Sequence, residues 1–303
     1  MSIFSNKQKD APERSRLPLD EWKAKKNEER NSVYELIDKA AAETVSDTQK
    51  LTDYLKVQSR MDRYSVSNAL LIYAQYPEAV KLRDFDGWAE KNISIQKGAK
   101  SISILEAVEY AKEDGTPGTA YNVKRMFDIS QTNADGKSYP EKAPGDPKAV
   151  AAAMLDSCEV KFKTVDTLGQ PDMNAFYDSI GKTLYIKRGT GSSELICQAI
   201  AEELAHAEFA MNAEKEGKQY DRNDSGFQAA CAAFMLCEKF GINTDNLRPK
   251  LRSIPSALRN AEPKEVRKEL AVSREAMRNI YTRTNRLIFR QKQEQNKSRE
   301  QGR

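Results

Sequence analysis

A segment rich in proline and glycine lies near the middle of the sequence and separates two stretches that each carry helix and strand patterns. Residues 134–148 contain three prolines and two glycines, a composition that interrupts helices and strands and is typical of loops. The chain has 303 residues, which is enough for two hydrophobic cores. We therefore predict a two-domain α+β protein in which residues 134–148 form the linker.

The first stretch begins with a polar lead over residues 1–29, which we predict to be flexible, with some helix near residues 19–29. Apolar side chains then recur at helical spacing, after which Ile102 and Ile104 alternate with polar residues, as in a half-buried strand. Residues 121–129 have the pattern of a returning strand. We predict that residues 30–133 form a helical unit with a small antiparallel sheet.

The second stretch, residues 149–247, has the pattern of a helix, a strand, a β-hairpin over residues 175–187 and two long helices. Residues 248–303 are predicted to be a basic C-terminal helix followed by a disordered tail from residue 291. The apolar stripe of this helix favours packing on the second domain, and contact of its arginines with phosphate is the alternative.

The chain has a single histidine, His206, so it cannot supply two histidines to one zinc ion. His206 ends the sequence Glu202-Glu203-Leu204-Ala205-His206, which has the outline of HExxH with Glu202 in place of the first histidine. In HExxH the two histidines share a helix face and hold zinc, while the glutamate polarises the bound water. Glu202 and His206 are two candidate ligands only, so we predict no cofactor, with zinc as the less favoured outcome.

Glu203 falls on an apolar helical stripe that also contains Ile200 and Ala207, and we predict that this stripe faces the core. A buried carboxylate is costly unless it is paired or protonated. We therefore interpret Glu203 as a remnant of a site, held by an unidentified partner, and His206 as a remnant or as a helix residue bonded to a neighbour. The four cysteines lack CxxC spacing, so neither a disulfide framework nor a cysteine zinc site is predicted.

A hairpin that leads to an HExxH-like helix, followed by a helix that ends in Phe-Gly-Ile at residues 240–242, resembles the metallopeptidase-type domain of ArdC-like antirestriction proteins. It is also similar to the wider ImmA/IrrE group. The resemblance implies a zincin-like fold in which the second helix carries an acidic third ligand. The matching positions here are Gln228 and Ala230, so the resemblance implies a degenerate domain and a pseudoenzyme, with Glu203 and His206 as remnants.

The first stretch carries the more specific resemblance. A Tyr-Ser-x-x-Asn helix, a Gly-Trp pair and a Lys-Gly turn before a strand resemble the single-stranded-DNA-binding domain of the ArdC family, which is carried on plasmids and conjugative elements. Binding of a single strand uses aromatic faces for stacking and cations for phosphate. The residues that we predict to contact DNA are Tyr64, Asn68, Gln75, Trp88, Lys97, Lys100 and Arg125. The alternatives are that Trp88 is a core residue and that Asn68 holds the backbone of a neighbouring segment.

These patterns together predict a single-stranded-DNA-binding, antirestriction-like protein of a mobile element. Its expected partners are single-stranded DNA and restriction or conjugation proteins, and the net charge of +4 permits such binding without requiring it. No apolar run approaches the roughly 20 residues of a membrane span, and the N-terminus lacks a secretory signal, so we expect a cytoplasmic protein. The alternative functions are an active zinc peptidase with a non-standard site and a protein-interaction module without DNA binding.

Overall fold

A computed structural model of the chain describes residues 18–112, 114–134, 145–189 and 191–301. These residues form ten α-helices and six strands in two three-stranded sheets. The helices are α1 (Leu19–Thr44), α2 (Thr48–Arg60), α3 (Val66–Gln75), α4 (Phe85–Ala89), α5 (Pro147–Asp156), α6 (Ser193–Lys215), α7 (Arg222–Phe240), α8 (Arg248–Leu251), α9 (Ser256–Arg259) and α10 (Pro263–Gln301). The strands are β1 (Leu82–Arg83), β2 (Ile102–Ala111), β3 (Pro117–Asp128), β4 (Lys161–Val165), β5 (Ala175–Asp178) and β6 (Thr183–Lys187).

The two sheets differ in topology. The first has the order β1-β3-β2 and is antiparallel throughout, with Ser103 of β2 opposite Arg125 of β3. In the second, β6 pairs with β5 as an antiparallel hairpin and with β4 in parallel. The predicted α+β class, the antiparallel sheet of the helical N-terminal unit and the later hairpin are confirmed.

Short polar side chains define where the main helices begin. Ser65 accepts the backbone N–H of Asn68 at the start of α3, and Ser192 and Asp221 cap α6 and α7 in the same way. Gly241 ends α7 in the left-handed conformation, with φ of 71°, where a residue without Cβ avoids strain. These caps fix the ends of the helices that carry the candidate site.

Both ends of the described chain are helical. Helix α1 begins at Leu19 and includes the helix expected near residues 19–29 of the predicted lead; residues 1–17 of that lead lie outside the described residues. Helix α10 continues to Gln301, through most of the predicted disordered tail. Both segments are rich in good helix formers such as Glu, Lys, Gln and Arg, and each is the extension of a helix that is already anchored by packing.

One cluster of buried side chains includes residues from both sides of the predicted linker. It joins Leu51 and Leu55 of α2 to Phe234 of α7 and Met277 of α10. Asp62, in the turn after α2, reinforces this contact, because Lys239 pairs with its carboxylate at 2.9 Å and Arg274 donates to its carbonyl at 2.8 Å. The predicted domain limits stay a prediction, and most of the predicted linker, residues 135–144, lies outside the described residues.

A second and smaller cluster lies between α3 and the first sheet. It contains Ile72 of α3, Ile102 and Ile104 of β2, and Met126 of β3. None of the helices in the described part of the chain combines the length and the apolar character that crossing a bilayer requires.

Candidate functional site

The HExxH-like sequence, residues 202–206, lies in the middle of α6, on a face that is covered by its neighbours. Glu203 is 5% exposed and His206 is 2% exposed. The α6 helix contacts α5, α7 and the edge strand β5. The predicted burial of Glu203 is therefore observed, and a partner for its charge is needed.

Arg222, the first residue of α7, is that partner. Its Nη1 donates to Oε2 of Glu203 at 2.8 Å and its Nη2 donates to Oε1 at 2.5 Å, so the guanidinium binds both carboxylate oxygens. The backbone N–H of Tyr177 in β5 donates to Oε2 at 2.7 Å. The Arg222 guanidinium also lies 4.9 Å from the ring centre of Phe176, in cation–π contact. One carboxylate thus ties α6, α7 and β5 together.

The pKa shifts of Glu203 and Arg222 follow from their burial and from their hydrogen bonds to each other. Burial raises the pKa of the Glu203 carboxyl, and the hydrogen bonds from Arg222 and from the Tyr177 N–H oppose that shift by favouring the ionised form. The bidentate contact with Glu203 raises the pKa of Arg222 against the opposing effect of its own burial. The result is an ion pair with no free carboxylate oxygen.

His206 has a different partner. Its Nδ1 and the hydroxyl of Tyr220 share a hydrogen bond of 2.6 Å. Burial, with smaller contributions from the charges of Arg222 and Lys250, lowers the pKa of His206 from 6.5 to about 3. His206 is therefore a neutral imidazole at neutral pH, and one of its two nitrogens is already engaged.

Glu202, which replaces the first histidine, is engaged as well. Nζ of Lys250 donates to its Oε2 at 2.5 Å. Gln228 donates to Glu269 of α10 at 2.6 Å, and Ala230 is a core residue with 1% exposure, so neither supplies an acidic ligand. In the part of the chain that the structure describes, no three His, Cys, Asp or Glu side chains are grouped as metal ligands. The donor set near His206 does not fit a zinc ion, which takes three or four such ligands.

A cleft is nevertheless retained beside the remnant motif. It encloses about 380 Å³ between β5, α6, the start of α7 and the turn before α8. The side chains that line it include Gln198, Glu202, Glu203, Arg222, Asn246 and Lys250. Two of its carboxylates are paired with its two cations, Glu202 with Lys250 and Glu203 with Arg222, and Asp172 also lines it.

Two of the predicted DNA-contacting residues, Asn68 and Gln75, bind backbone instead. The Asn68 amide donates to the carbonyl of Leu105 and accepts the N–H of Leu105, both at 2.8 Å. The Gln75 amide does the same with Ser103, at 2.9 Å in each direction. Both amides thus pair with the outer edge of β2 and are not free to bond bases, which is the alternative expected for Asn68.

Trp88 is also used within the fold. It is 1% exposed, and its indole N–H donates to the carbonyl of Phe127 in β3 at 2.9 Å. Stacking of a base on Trp88 would require α4 to leave the sheet, so the core-residue alternative describes it. Tyr64 is half-buried against the second cluster, and burial raises the pKa of its hydroxyl.

The three predicted cationic contacts are exposed. Lys97 and Lys100 flank Gly98, whose φ of 87° makes the turn before β2. Within the described ranges neither lysine has an ion-pair partner. Arg125 lies on β3, where it pairs with Glu29 of α1 and donates to the Ser103 hydroxyl at 3.2 Å.

Three residues of this site were not predicted from the sequence, namely Tyr220, Arg222 and Lys250. The signal that pointed to them was indirect: a glutamate on a core-facing stripe requires a buried cation or donor. Which cation fills that role depends on the packing of α7 against β5, a contact between segments about 45 residues apart along the chain.

Comparison with known proteins identifies the fold. No family model and no curated protein matches the sequence. Two solved structures of the antirestriction protein ArdC from plasmid R388 do match in three dimensions. The metal-free structure has a TM-score of 0.54 at 16% identity and covers 74% of this chain and 86% of that one. The Mn(II)-bound structure has a TM-score of 0.52 at 16% identity and covers 78% and 97%. The chain therefore has an ArdC-like fold over most of its length, as the sequence resemblance predicted.

Proposed function

We propose that this chain is a single-stranded-DNA-binding protein of the antirestriction type, carried by a mobile element, whose metallopeptidase-like part is not catalytic. Its resemblance in fold to ArdC, an antirestriction protein of a plasmid, supports the first half of this proposal. Restriction or conjugation proteins are its proposed further partners, in the cytoplasm. The observation that carries the second half is the bidentate pairing of Glu203 with Arg222.

The pairing matters because a general base must accept a proton from water at a free oxygen atom. Both oxygens of Glu203 already accept hydrogen bonds, and Oε2 accepts two. An active zinc peptidase at this place would have to break the Glu203–Arg222 and Glu202–Lys250 contacts together. The geometry therefore favours a pseudoenzyme over the peptidase alternative.

The proposed DNA contacts are the exposed cations of the N-terminal part. Lys97 and Lys100 lie on a turn with no competing carboxylate bound to them among the described residues, so they are available to phosphate. Each lysine that neutralises a phosphate of a single strand adds about −0.7 to the slope of log K against log salt. Asn68, Gln75 and Trp88 are left out of the proposed contacts, because the fold uses their side chains.

The test of DNA binding is titration of the full chain with single-stranded and double-stranded oligonucleotides at two salt concentrations. We expect tighter binding of the single strand and a linear loss of affinity with salt. Replacing Lys97 and Lys100 together by alanine should reduce the salt slope by about 1.4. The matched control is the pair Lys161→Ala and Lys163→Ala on β4, two exposed lysines of the other half, which should leave the slope unchanged.

Inactivity of the metallopeptidase-like part is tested separately. Elemental analysis of the purified protein should find no stoichiometric zinc or manganese, and peptidase assays with either ion should give no cleavage. One tightly held metal per chain that is lost in His206→Ala would contradict this part of the proposal. A folded chain that binds no oligonucleotide at low salt would contradict the DNA-binding part and leave the interaction-module alternative.

A further inference from the structure

The first half of α1 forms one wall of a groove that neither Lys97 nor Lys100 lines. Val33 and Ile37 of α1 are buried in the main core, and the same helix face continues toward the N-terminus through Trp22 and Lys26. Trp22 is nevertheless 50% exposed. A helix face that packs on the core at one end thus presents a large aromatic side chain to solvent at the other.

Strand β3 forms the opposite wall. Tyr121 and Arg125 are four residues apart on β3, so their side chains project from the same face of the sheet. Tyr121 is 43% exposed, and Arg125 reaches across to pair with Glu29 of α1. Two hollows of about 530 and 480 Å³ lie along this interface, and Trp22 lines both of them.

The groove has an excess of positive charge. Two acidic residues, Glu28 and Glu29, line it. Glu29 is already engaged by Lys26 and Arg125. The cations that line the groove are Lys23, Lys25, Lys26, Arg30 and Arg125. Exposed aromatic rings interleaved with cations are the combination with which proteins hold single-stranded nucleic acid.

We infer that this groove, between the first half of α1 and strand β3, is the base-stacking site for single-stranded DNA. This inference rests on the proposed function and adds the place where unpaired bases bind. Trp22 and Tyr121 line the same hollow and stack bases from opposite walls, and Lys23 and Arg30 of that hollow hold phosphates at the rim. A duplex does not present its base faces to such rings, so the groove selects single strands.

The chain contains two tryptophans, and this makes a direct test possible. Trp88 is 1% exposed, so quenching of tryptophan fluorescence by an unlabelled oligothymidylate reports on Trp22. We expect saturable quenching in the full chain that is absent in Trp22→Phe, whereas Trp22→Phe retains most of the affinity because phenylalanine still stacks. Trp22→Ala and Tyr121→Ala should each weaken single-strand binding by about 5- to 150-fold.

The matched control is Phe85→Ala, which removes another aromatic side chain with 66% exposure from the N-terminal part, outside the groove. It should leave the affinity unchanged. If the wild-type chain binds single strands while Trp22→Ala and Tyr121→Ala bind equally well, the groove is not the stacking site and the proposed function stands. If the wild-type chain binds no oligonucleotide, the proposed function fails and this inference fails with it. If Trp22→Ala instead converts a dimer into monomers without changing DNA affinity, the groove is an interface between two copies.

Discussion

At the scale of single residues, Glu203 is a buried carboxylate whose hydrogen bonds hold parts of the fold together. A buried glutamate is destabilising unless a donor compensates the lost hydration. Arg222 supplies two donors, one to each carboxylate oxygen, and the Tyr177 N–H supplies a third. A metal ion is therefore not needed to satisfy Glu203, and the arrangement holds three elements in place.

We predict that Arg222→Ala destabilises the protein markedly, because it leaves Glu203 buried without its cation. Breaking a fully buried ion pair costs about 3–5 kcal/mol, and we expect about 2–3 kcal/mol here because the Arg222 side chain is 32% exposed. Chemical denaturation of both proteins measures the difference. Arg222→Lys should restore only part of it, since lysine cannot bind both oxygens in one plane.

The control for this prediction is an exposed pair of an arginine and a carboxylate. Arg188 and Asp166 lie 3.2 Å apart with side-chain exposures of 62% and 81%, so Arg188→Ala should change the free energy of unfolding by less than about 1 kcal/mol. Equal effects of the two arginine substitutions would show that the Glu203–Arg222 pair is no more important than a surface contact.

His206 gives the protein a specific sensitivity to acid. Its pKa is lowered to about 3 in the folded chain, so the unfolded chain binds a proton below pH 6.5 that the folded chain excludes. Stability from this group is therefore complete above pH 6.5 and is lost as the pH falls toward 3. We expect a loss of about 2 kcal/mol between pH 7.5 and pH 5.

The measurement is the free energy of unfolding against pH for the wild-type chain and for His206→Gln, whose amide can still bond Tyr220. The variant should lack this part of the pH dependence. Because His206 is the only histidine, its ring resonances can also be followed alone by NMR. A histidine that titrates near pH 6.5 in the folded protein would refute the prediction.

At the scale of elements, helix α3 covers the open edge of the first sheet at β2. The outer edge of β2 presents backbone N–H and C=O groups at Ser103 and Leu105, and such open edges invite pairing with other chains. Gln75 and Asn68, seven residues apart on α3, pair with these groups through their side-chain amides. The helix therefore closes the sheet edge and fixes the position of β2.

We predict that Asn68→Ala and Gln75→Ala each destabilise the protein by about 1–3 kcal/mol, because each leaves one buried N–H and one C=O without a partner. Hydrogen exchange of the Leu105 amide should accelerate in Asn68→Ala, and that of the Ser103 amide in Gln75→Ala. Lys97→Ala, in the exposed turn nearby, is the control and should change neither amide. Loss of DNA affinity without faster exchange would mean that these amides contact DNA after all.

The same elements show which features a sequence can predict. The helical spacing in α3 and the alternation at Ile102 and Ile104 depend on neighbouring residues, and the predicted helix and strand are confirmed. The residues around Trp88 form the same short-helix pattern whether the indole faces a sheet or a groove. Its burial therefore could not be predicted from the neighbouring sequence. Trp22 belongs to the predicted polar lead. Its neighbours in the sequence do not show that it lines a hollow together with Tyr121 of β3, because that contact depends on the tertiary fold.

At the scale of the whole molecule, the two halves share one core. The cluster that joins α1, α2 and α3 to α6, α7 and α10 is continuous. Asp38 of α1 also pairs with Arg267 of α10, and Asp62 binds both Lys239 and Arg274. Separating the halves would expose buried apolar surface on each of them, at a cost of roughly 25 cal/mol per Å².

We therefore predict a single cooperative unfolding transition for the full chain, and fragments that do not fold separately. The test is a sequence-specific protease site introduced between residues 135 and 144. After cleavage, the two fragments should co-elute on size exclusion and unfold together, with one midpoint by tryptophan fluorescence and by circular dichroism. Tryptophan emission follows the N-terminal half alone, since Trp22 and Trp88 both lie there, whereas circular dichroism follows the helices of both halves.

Separation of the two fragments after cleavage would contradict this prediction. If the cleaved halves separate in buffer and each unfolds with its own midpoint, the shared cluster is a weak interface and the chain consists of two autonomous domains.

The interface itself can be weakened without cutting the chain, by Phe234→Ala in α7, which removes a fully buried ring from the cluster. Loss of a buried phenylalanine side chain costs about 3–5 kcal/mol. In a single cooperative unit this loss lowers the midpoint seen by tryptophan emission as much as the midpoint seen by circular dichroism, although both tryptophans lie in the other half.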